Sequence, residues 1–425
     1  MEDPKKRATV FGKRLAQVRK QRGESLRDIE QRSGLNNGYL SQLENGKIVH
    51  PSPSVLEKVA KGYELRFEDV LRWAGYVAEP EDTVTPRQAV ALSTVSALGE
   101  PSDEELKALQ AIVGVLQSNR SATYSAPSDL PLDEPAIAEI RRYALAVLRE
   151  ADALGRQPTP LEDIQDAARL VLAGELTLDA RDRARLFERF GNWVNVAWKR
   201  LQGTFDYRTS EIWVAPDLHH MKRRFVVSHE IGHAILPAHK QTFAYVDDFT
   251  RLPPFARDAY EREANQAAVE ILFQAGRATT EFDSSPPSLK QICRLSEAFG
   301  ASIVSTARYT AETSRRPVAV AIAHRKQGGG LGPPHLYASG RFESDFGWHA
   351  GRAPWLEIHK ALQTASSRDR ETWVIENRRR EPRVANAQKI STGYAAIVLV
   401  VPESGARALT RKLTSVGRGA VRVPA

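Results

Sequence analysis

The stretch Val226-Val-Ser-His-Glu-Ile-Gly-His-Ala-Ile-Leu236 constrains this chain more than any other. On a helix, His229 and His233 lie one turn apart on the same face, so both imidazoles reach one metal ion. Glu230 follows the first histidine directly, which places a carboxylate beside that ion, able to take a proton from an attacking water. Upstream, Thr204-Phe-Asp-Tyr and Glu211-Ile-Trp-Val214 read as short strands, and Arg223-Arg-Phe-Val-Val after Pro216 starts a helix with apolar residues away from the metal face. The metal-binding helix is therefore expected to be partly buried and packed near a strand edge.

A metal held for chemistry needs a third protein ligand. His239 lies at the metzincin spacing, but Leu236 stands where that pattern needs glycine, and Met1 and Met221, the only methionines, both precede the site where a methionine turn should follow it. The other source is Tyr260-Glu-Arg-Glu-Ala-Asn-Gln-Ala-Ala-Val-Glu-Ile-Leu272, a helix whose small face of Ala264, Ala267, Ala268 and Ile271 permits close packing on the first. Glu261 can be the third ligand, with Asn265 one turn on bonding a ligand or nearby backbone. Glu263 points elsewhere and is the weaker choice. An acidic helix start favoured by the helix dipole is the alternative reading of either residue.

The run Arg224-Phe-Val-Val-Ser-His-Glu-Ile-Gly-His, followed about thirty residues later by Glu261-Arg-Glu-Ala-Asn-Gln-Ala-Ala, resembles the ImmA/IrrE family of zinc metallopeptidases over about 200 to 315. Ser288-Leu-Lys-Gln-Ile-Cys-Arg-Leu-Ser-Glu-Ala-Phe-Gly-Ala-Ser302 is similar to the helices that close that domain. The resemblance implies zinc, with manganese as the alternative, on His229, His233 and Glu261, and Glu230 as the general base. It also implies a substrate: a repressor-type transcription regulator cleaved in a phage, mobile-element or DNA-damage response. One departure, Ile271-Leu-Phe-Gln-Ala-Gly where the family reads Leu-Leu-Met-Pro, implies an altered cleft. An oxyanion stabiliser is also needed, and His219, His220, Arg308 and Tyr309 are available.

At 425 residues the chain is long enough for two to four domains. The N-terminus lacks a signal peptide's apolar core and no apolar run reaches membrane-spanning length, so a cytoplasmic protein without membrane contact is expected. The lone Cys293 reads as a core residue, not a nucleophile. Residues 1–77 carry 15 Lys+Arg against 10 Asp+Glu, residues 78–315 carry 27 against 34, and residues 316–425 carry 18 against 8. Basic ends on an acidic centre point to nucleic-acid contact at one or both ends.

The basic N-terminal stretch reads as five helices. Arg7 to Arg22 is amphipathic, with Val10, Phe11, Leu15 and Val18 on its apolar side; Ser25 caps Leu26 to Arg32, with Asp28 answering the cap. Gly34 provides the turn, a third helix runs Asn36 to Asn45, and Ser54–Tyr63 and Phe67–Trp73 pack behind. Residues 7 to 77, above all Tyr39-Leu-Ser-Gln-Leu-Glu-Asn-Gly-Lys47, resemble the Xre (Cro/C1) type of helix-turn-helix domain. The resemblance puts the third helix in the major groove of an operator, with Asn37 and Gln42 reading bases and Arg19, Arg22, Arg27 and Lys47 contacting phosphates. It also implies a homodimer on a palindromic site.

The expected fold class is multidomain α+β: a five-helix helix-turn-helix bundle over 1–77, a helical connector over 78–132 with an amphipathic helix from Asp103 to Gln117, a mostly helical zincin-like peptidase domain with a small sheet over 133–315, and a C-terminal α+β domain over 316–425. Three helices between Glu134 and Trp198 should form the front of the peptidase domain, with Trp193 and Trp198 in its core. In the last domain Val318–Ala323, His335–Ala338, Thr372–Ile375 and Ala395–Val401 read as strands, Trp355–Ala365 as a helix and Gly328–Gly332 as a hairpin. Its size and strand content are similar to a GAF-like sensor. The two functions in view are a DNA-binding zinc peptidase that cuts a repressor-type regulator or itself, and a regulator, with the toxin-antitoxin type included, whose peptidase-like domain senses or is structural.

Overall fold

The computed structural model describes residues 3–77, 132–177, 180–192, 194–195, 198, 202–207, 209–245, 252–326, 329–348, 353–364, 369–403 and 421–423. The expected connector helix from Asp103 to Gln117 and Trp193 lie outside these residues, and Trp198 is half-buried. No helix among them is long and apolar enough to cross a membrane. They fall into two compact units: 1–156 with 160–271, and 157–159 with 272–425.

The first unit begins with the helix-turn-helix bundle. Asp3 accepts from the Lys5 N–H and opens α1 (Pro4–Gln21). Ser25 and Asp28 form a reciprocal cap on α2 (Leu26–Ser33), which ends at Gly34 in the left-handed conformation, φ 69°. Asn36 caps α3 (Asn37–Glu44), and α4 (Pro53–Gly62) and α5 (Phe67–Trp73) complete the five. Phe11, Leu15, Ile29, Leu40, Leu43, Val59, Tyr63 and Val70 form the core. Val10, expected on the apolar side of α1, faces solvent instead, because only the Phe11–Leu15 side meets the other helices.

The same core continues into Ala136, Ala238, Leu252, Ala256, Ala259 and Tyr260, so the bundle shares its apolar interior with the helices that follow. These are α6 (Glu134–Glu150), α7 (Leu161–Ala167), α8 (Ala180–Phe190), α9 (His220–Ile235), α10 (Pro237–Tyr245) and α11 (Pro254–Leu272). A three-stranded sheet, order β1-β3-β2, joins β1 (Val171–Glu175) parallel to β3 (Glu211–Val214), with β2 (Gly203–Asp206) antiparallel on the other side. The expected strand pair is there, in register Phe205 to Ile212; β1 was not anticipated between the helices. Helix α9 packs on β2 and β3, and all nine residues from Val226 to Ala234 are buried, as for a helix enclosed on every side.

The second unit holds α12 (Arg277–Asp283), α13 (Leu289–Phe299), α14 (Ile303–Thr313) and a six-stranded sheet, order β5-β4-β8-β7-β6-β9. Its strands are β4 (Ala319–His324), β5 (His335–Ala338), β6 (Asp369–Glu376), β7 (Pro382–Ser391), β8 (Ala395–Pro402) and β9 (Val421–Val423). In this sheet, among the described residues, only the β6–β9 pair is parallel. Helices α15 (Gly340–Phe346) and α16 (Trp355–Gln363) supply Phe342 and Ile358 to a core with Trp348, Trp373 and Val398. Arg325 and Leu331, on either side of the glycine run, form an antiparallel bridge. Helices α12 to α14 group with the C-terminal sheet, α14 packing on β4 and β5. Cys293 on α13 is half-buried and reduced.

Candidate metal centre

Helix α9 presents His229 and His233 on one face, and α11 brings Glu261 against them. His233 Nε2 lies 3.2 Å from His229 Nε2, Glu261 Oε2 lies 3.2 Å from His229 Nε2, and Glu261 Oε1 lies 3.5 Å from His233 Nε2. Three corners of a tetrahedron with metal–ligand bonds of about 2.0–2.1 Å are about 3.3 Å apart. The donor set and its spacing therefore fit zinc.

The helices meet this closely because of small residues. A Cβ on Gly232 would stand 2.9 Å from Ala264 O and 2.9 Å from Ala267 Cβ, so the glycine between the two histidines sets the approach of the helix carrying Glu261. Burial pushes the His229 imidazole below its usual range and the His233 imidazole down to about 3, which keeps both neutral with a lone pair for a cation.

Each histidine of the cluster is held from behind. His229 Nδ1 donates to Asn265 Oδ1 at 3.0 Å, leaving Nε2 to face Glu261. His233 Nδ1 pairs with His239 Nδ1 at 2.9 Å, and His239 Nε2 pairs with Glu263 Oε2 at 3.0 Å. His239, weighed above as a ligand, lies behind His233 instead. Glu263 likewise faces His239 rather than the cluster of His229, His233 and Glu261. The third buried acid of α11, Glu270, is gripped by Arg141 through bonds of 3.0 and 2.9 Å. So each buried carboxylate of this helix has a cationic or histidine neighbour, as burial of charge requires.

Glu230 is fully buried, and a Cβ on Gly203 of β2 would stand 2.9 Å from its Oε1. Tyr207, just past β2, stacks on Phe243 with ring centroids 4.2 Å apart. Its hydroxyl is buried without a hydrogen bond among the described residues, and burial together with the charges of Glu230 and Glu261 pushes its pKa well up. This neutral proton donor beside two carboxylates was not singled out from the sequence, where nothing but its place after a strand marks it. His219 and His220, at the start of α9, are exposed, their rings tilted by 40° with centroids 4.3 Å apart. At 1.5 Å per residue they lie about 14–15 Å along the helix from His229. In the second unit Arg308 pairs with Glu312 and covers Tyr337, and Tyr309 stacks on Phe273.

On the helix-turn-helix bundle, Asn37, Gln42, Arg27 and Lys47 are exposed. Arg19 is not available in the same way: it makes two bonds of 2.7 Å to Glu44 and a third to Glu24 O. Arg22 donates to Tyr63 O at 2.5 Å, at the end of α4. Two of the four expected phosphate contacts, Arg19 and Arg22, thus also bond within the bundle, Arg22 remaining exposed.

Residues 10–73 match a helix-turn-helix domain model, and residues 186–309 match the model of the IrrE N-terminal-like domain of the M78 peptidases. The chain is 33% identical over 111 residues to an uncharacterized HTH-type transcriptional regulator of Mycobacterium tuberculosis, 26% of this chain and 75% of that one. It is 29% identical over 76 residues to the HTH-type transcriptional repressor RghR of Bacillus subtilis, 18% of this chain, and spans 56% of that relative's length. A solved Mycobacterium tuberculosis transcriptional regulator aligns at TM-score 0.41 and 14% identity over 68% of this chain and 84% of that one, too distant to carry an argument.

Proposed function

The chain belongs to the family that places a helix-turn-helix domain ahead of an IrrE-like M78 peptidase domain, and from that premise we propose a DNA-binding zinc metallopeptidase that cleaves a repressor-type regulator or itself. The observation that carries the reading is the triangle of His229, His233 and Glu261 donors at 3.2, 3.2 and 3.5 Å with Glu230 next to the first histidine. Zinc bound there supplies a Lewis acid for a peptide carbonyl.

The chain's own residues do the rest. Glu230 accepts the proton of the attacking water and delivers it to the leaving amine. Tyr207 keeps its proton and donates a hydrogen bond to the developing oxyanion. Asn265 and His239 keep the ring protons of His229 and His233 on Nδ1. On the bundle, Asn37 and Gln42 read bases and Arg27 and Lys47 hold phosphates, two copies binding a palindromic operator.

A second reading, a regulator whose centre senses metal or is structural, is favoured by one feature: His229 is 2% exposed and Glu230, His233 and Glu261 are at 0%. A protein substrate needs a way in that a sensor does not. Wild type, Glu230→Gln and Tyr207→Phe, each assayed for bound zinc, for cleavage of a co-expressed repressor-type protein and of itself, and for operator binding, separate the two. The peptidase reading requires about one zinc in all three, cutting by wild type alone at full rate, and a loss on the order of 100-fold in Tyr207→Phe. DNA binding with zinc held and nothing cut selects the regulator.

A further inference from the structure

The hydrogen bonds behind His233 do not stop inside the peptidase domain. Glu263, which holds His239, also accepts from the Ser54 backbone N–H at 2.9 Å through Oε1 and from the Ser54 hydroxyl at 2.8 Å through Oε2. Ser54 is the second residue of α4 in the helix-turn-helix bundle. Ser52, at the N-cap position, does not close onto the helix's own N–H groups, so the end of α4 takes its cap from a carboxylate of α11. Every member of the series Ser54, Glu263, His239, His233 is buried.

The proton positions along this series are fixed by one demand. If His233 Nε2 is to offer its lone pair to a metal, Nδ1 must carry the hydrogen and donate to His239 Nδ1. His239 must then carry its hydrogen on Nε2 and donate to Glu263 Oε2, whose remaining acceptor capacity is met by Ser54. A second mechanical route runs alongside, since Glu261 and Glu263 are two residues apart on α11. Shifting α4 therefore moves the acceptor that orients one ligand and the helix that carries another.

We propose that the helix-turn-helix domain is part of the metal centre's outer support: Ser54, acting through Glu263 and His239, positions His233, so that zinc affinity and the docking of α4 are coupled. The coupling rests on the reading that His229, His233 and Glu261 hold zinc. It is reciprocal: bound zinc tightens α4 against α11, and loosening α4 weakens zinc by the same factor. Metal occupancy is thereby reported to the DNA-binding domain without any substrate.

The test uses the full chain and Zn2+ alone, with affinity read by competition against a chromophoric chelator and docking read by hydrogen exchange of the amides at 52–57. Variants are His239→Phe, Ser54→Ala and, as a control, Lys58→Ala, which removes a different contact of α4, its 2.9 Å pair with Glu139. His239→Phe should weaken zinc about 10- to 100-fold, and Ser54→Ala on the order of 3-fold. Lys58→Ala should bind zinc as wild type does. Zinc should slow exchange at 52–57 in wild type and Lys58→Ala, but not in His239→Phe. The coupling is overturned if wild type and the relay variants hold zinc equally, or if zinc leaves exchange at 52–57 unchanged in wild type. A wild type that binds no zinc at all overturns the centre itself, and that result is distinct from the other two.

Discussion

Gly232→Ala tests the centre where its geometry is tightest. An added Cβ would stand 2.9 Å from Ala267 Cβ and 2.9 Å from Ala264 O. Carbon atoms rest about 3.5–4.0 Å apart, so α9 and α11 must separate by about 0.6–1.1 Å. Metal–ligand distances tolerate about 0.2 Å, and Glu261 rides on α11 three residues before Ala264. The carboxylate therefore leaves the histidines, and zinc affinity should fall by at least the 10- to 100-fold that loss of an outer partner costs. Stability should change far less. Overpacking costs about 1–3 kcal/mol. Alanine in place of glycine in a helix returns about 1 kcal/mol. The net, about 0–2 kcal/mol, leaves the protein folded. Chelator competition for Zn2+ and urea unfolding of the metal-free protein read the two quantities separately. Gly38→Ala, whose Cβ meets only Asn36 Oδ1 at 3.4 Å, is the control and should bind zinc normally. Wild-type zinc affinity in Gly232→Ala would refute the argument that this contact sets the position of Glu261.

Gly203→Ala should do the opposite, since its Cβ would meet Val226 Cγ1 at 2.5 Å and Glu230 Oε1 at 2.9 Å: zinc stays, while peptide cleavage drops by about 100-fold as the base is displaced, and undiminished cleavage would count against Glu230 in that role. Acid should loosen the first unit through His50, which packs on Phe255 and is held below 6.5 by burial and then by Arg7 and Arg262, with Asp258 acting the other way. Because its folded pKa lies below its unfolded one, its stabilising share is whole above pH 6.5 and is lost as pH falls below it; His50→Gln should flatten that part of the urea midpoint's pH dependence, and an unchanged slope sinks the assignment. Arg19→Ala should cost the bundle about 1.5–3 kcal/mol by removing its bonds to Glu44. Arg27→Ala and Lys47→Ala should instead each lower the salt slope of DNA binding by about 1 at little cost in stability, as titrations over a salt series would reveal.

What the residues announced by themselves was local. The five helices of the bundle came from apolar spacing and from caps such as Ser25 with Asp28, whose partners are three residues away. The pairing of His229 with His233 is a property of one helical turn. Such features survive without knowledge of neighbours, because the groups that satisfy them lie within a few residues. Strand β7 did not announce itself: Pro-Arg-Val-Ala-Asn-Ala-Gln-Lys-Ile-Ser alternates weakly, and its place between β8 and β6 makes it a strand.

The rest was decided by packing. Glu261 and Glu263 sit about 200° apart around one helix, and the close packing of that helix at Gly232 brings Glu261 to the histidines. His239 and Ser54 gained their positions by hydrogen bonds that cross 6 and 209 residues of sequence. Arg19, basic and well placed on paper for phosphate, was claimed by Glu44, 25 residues away. Sequence determined which chemistry the chain carries; tertiary structure decided which groups face one another, because a buried charge or imidazole takes its role from whichever partner satisfies it.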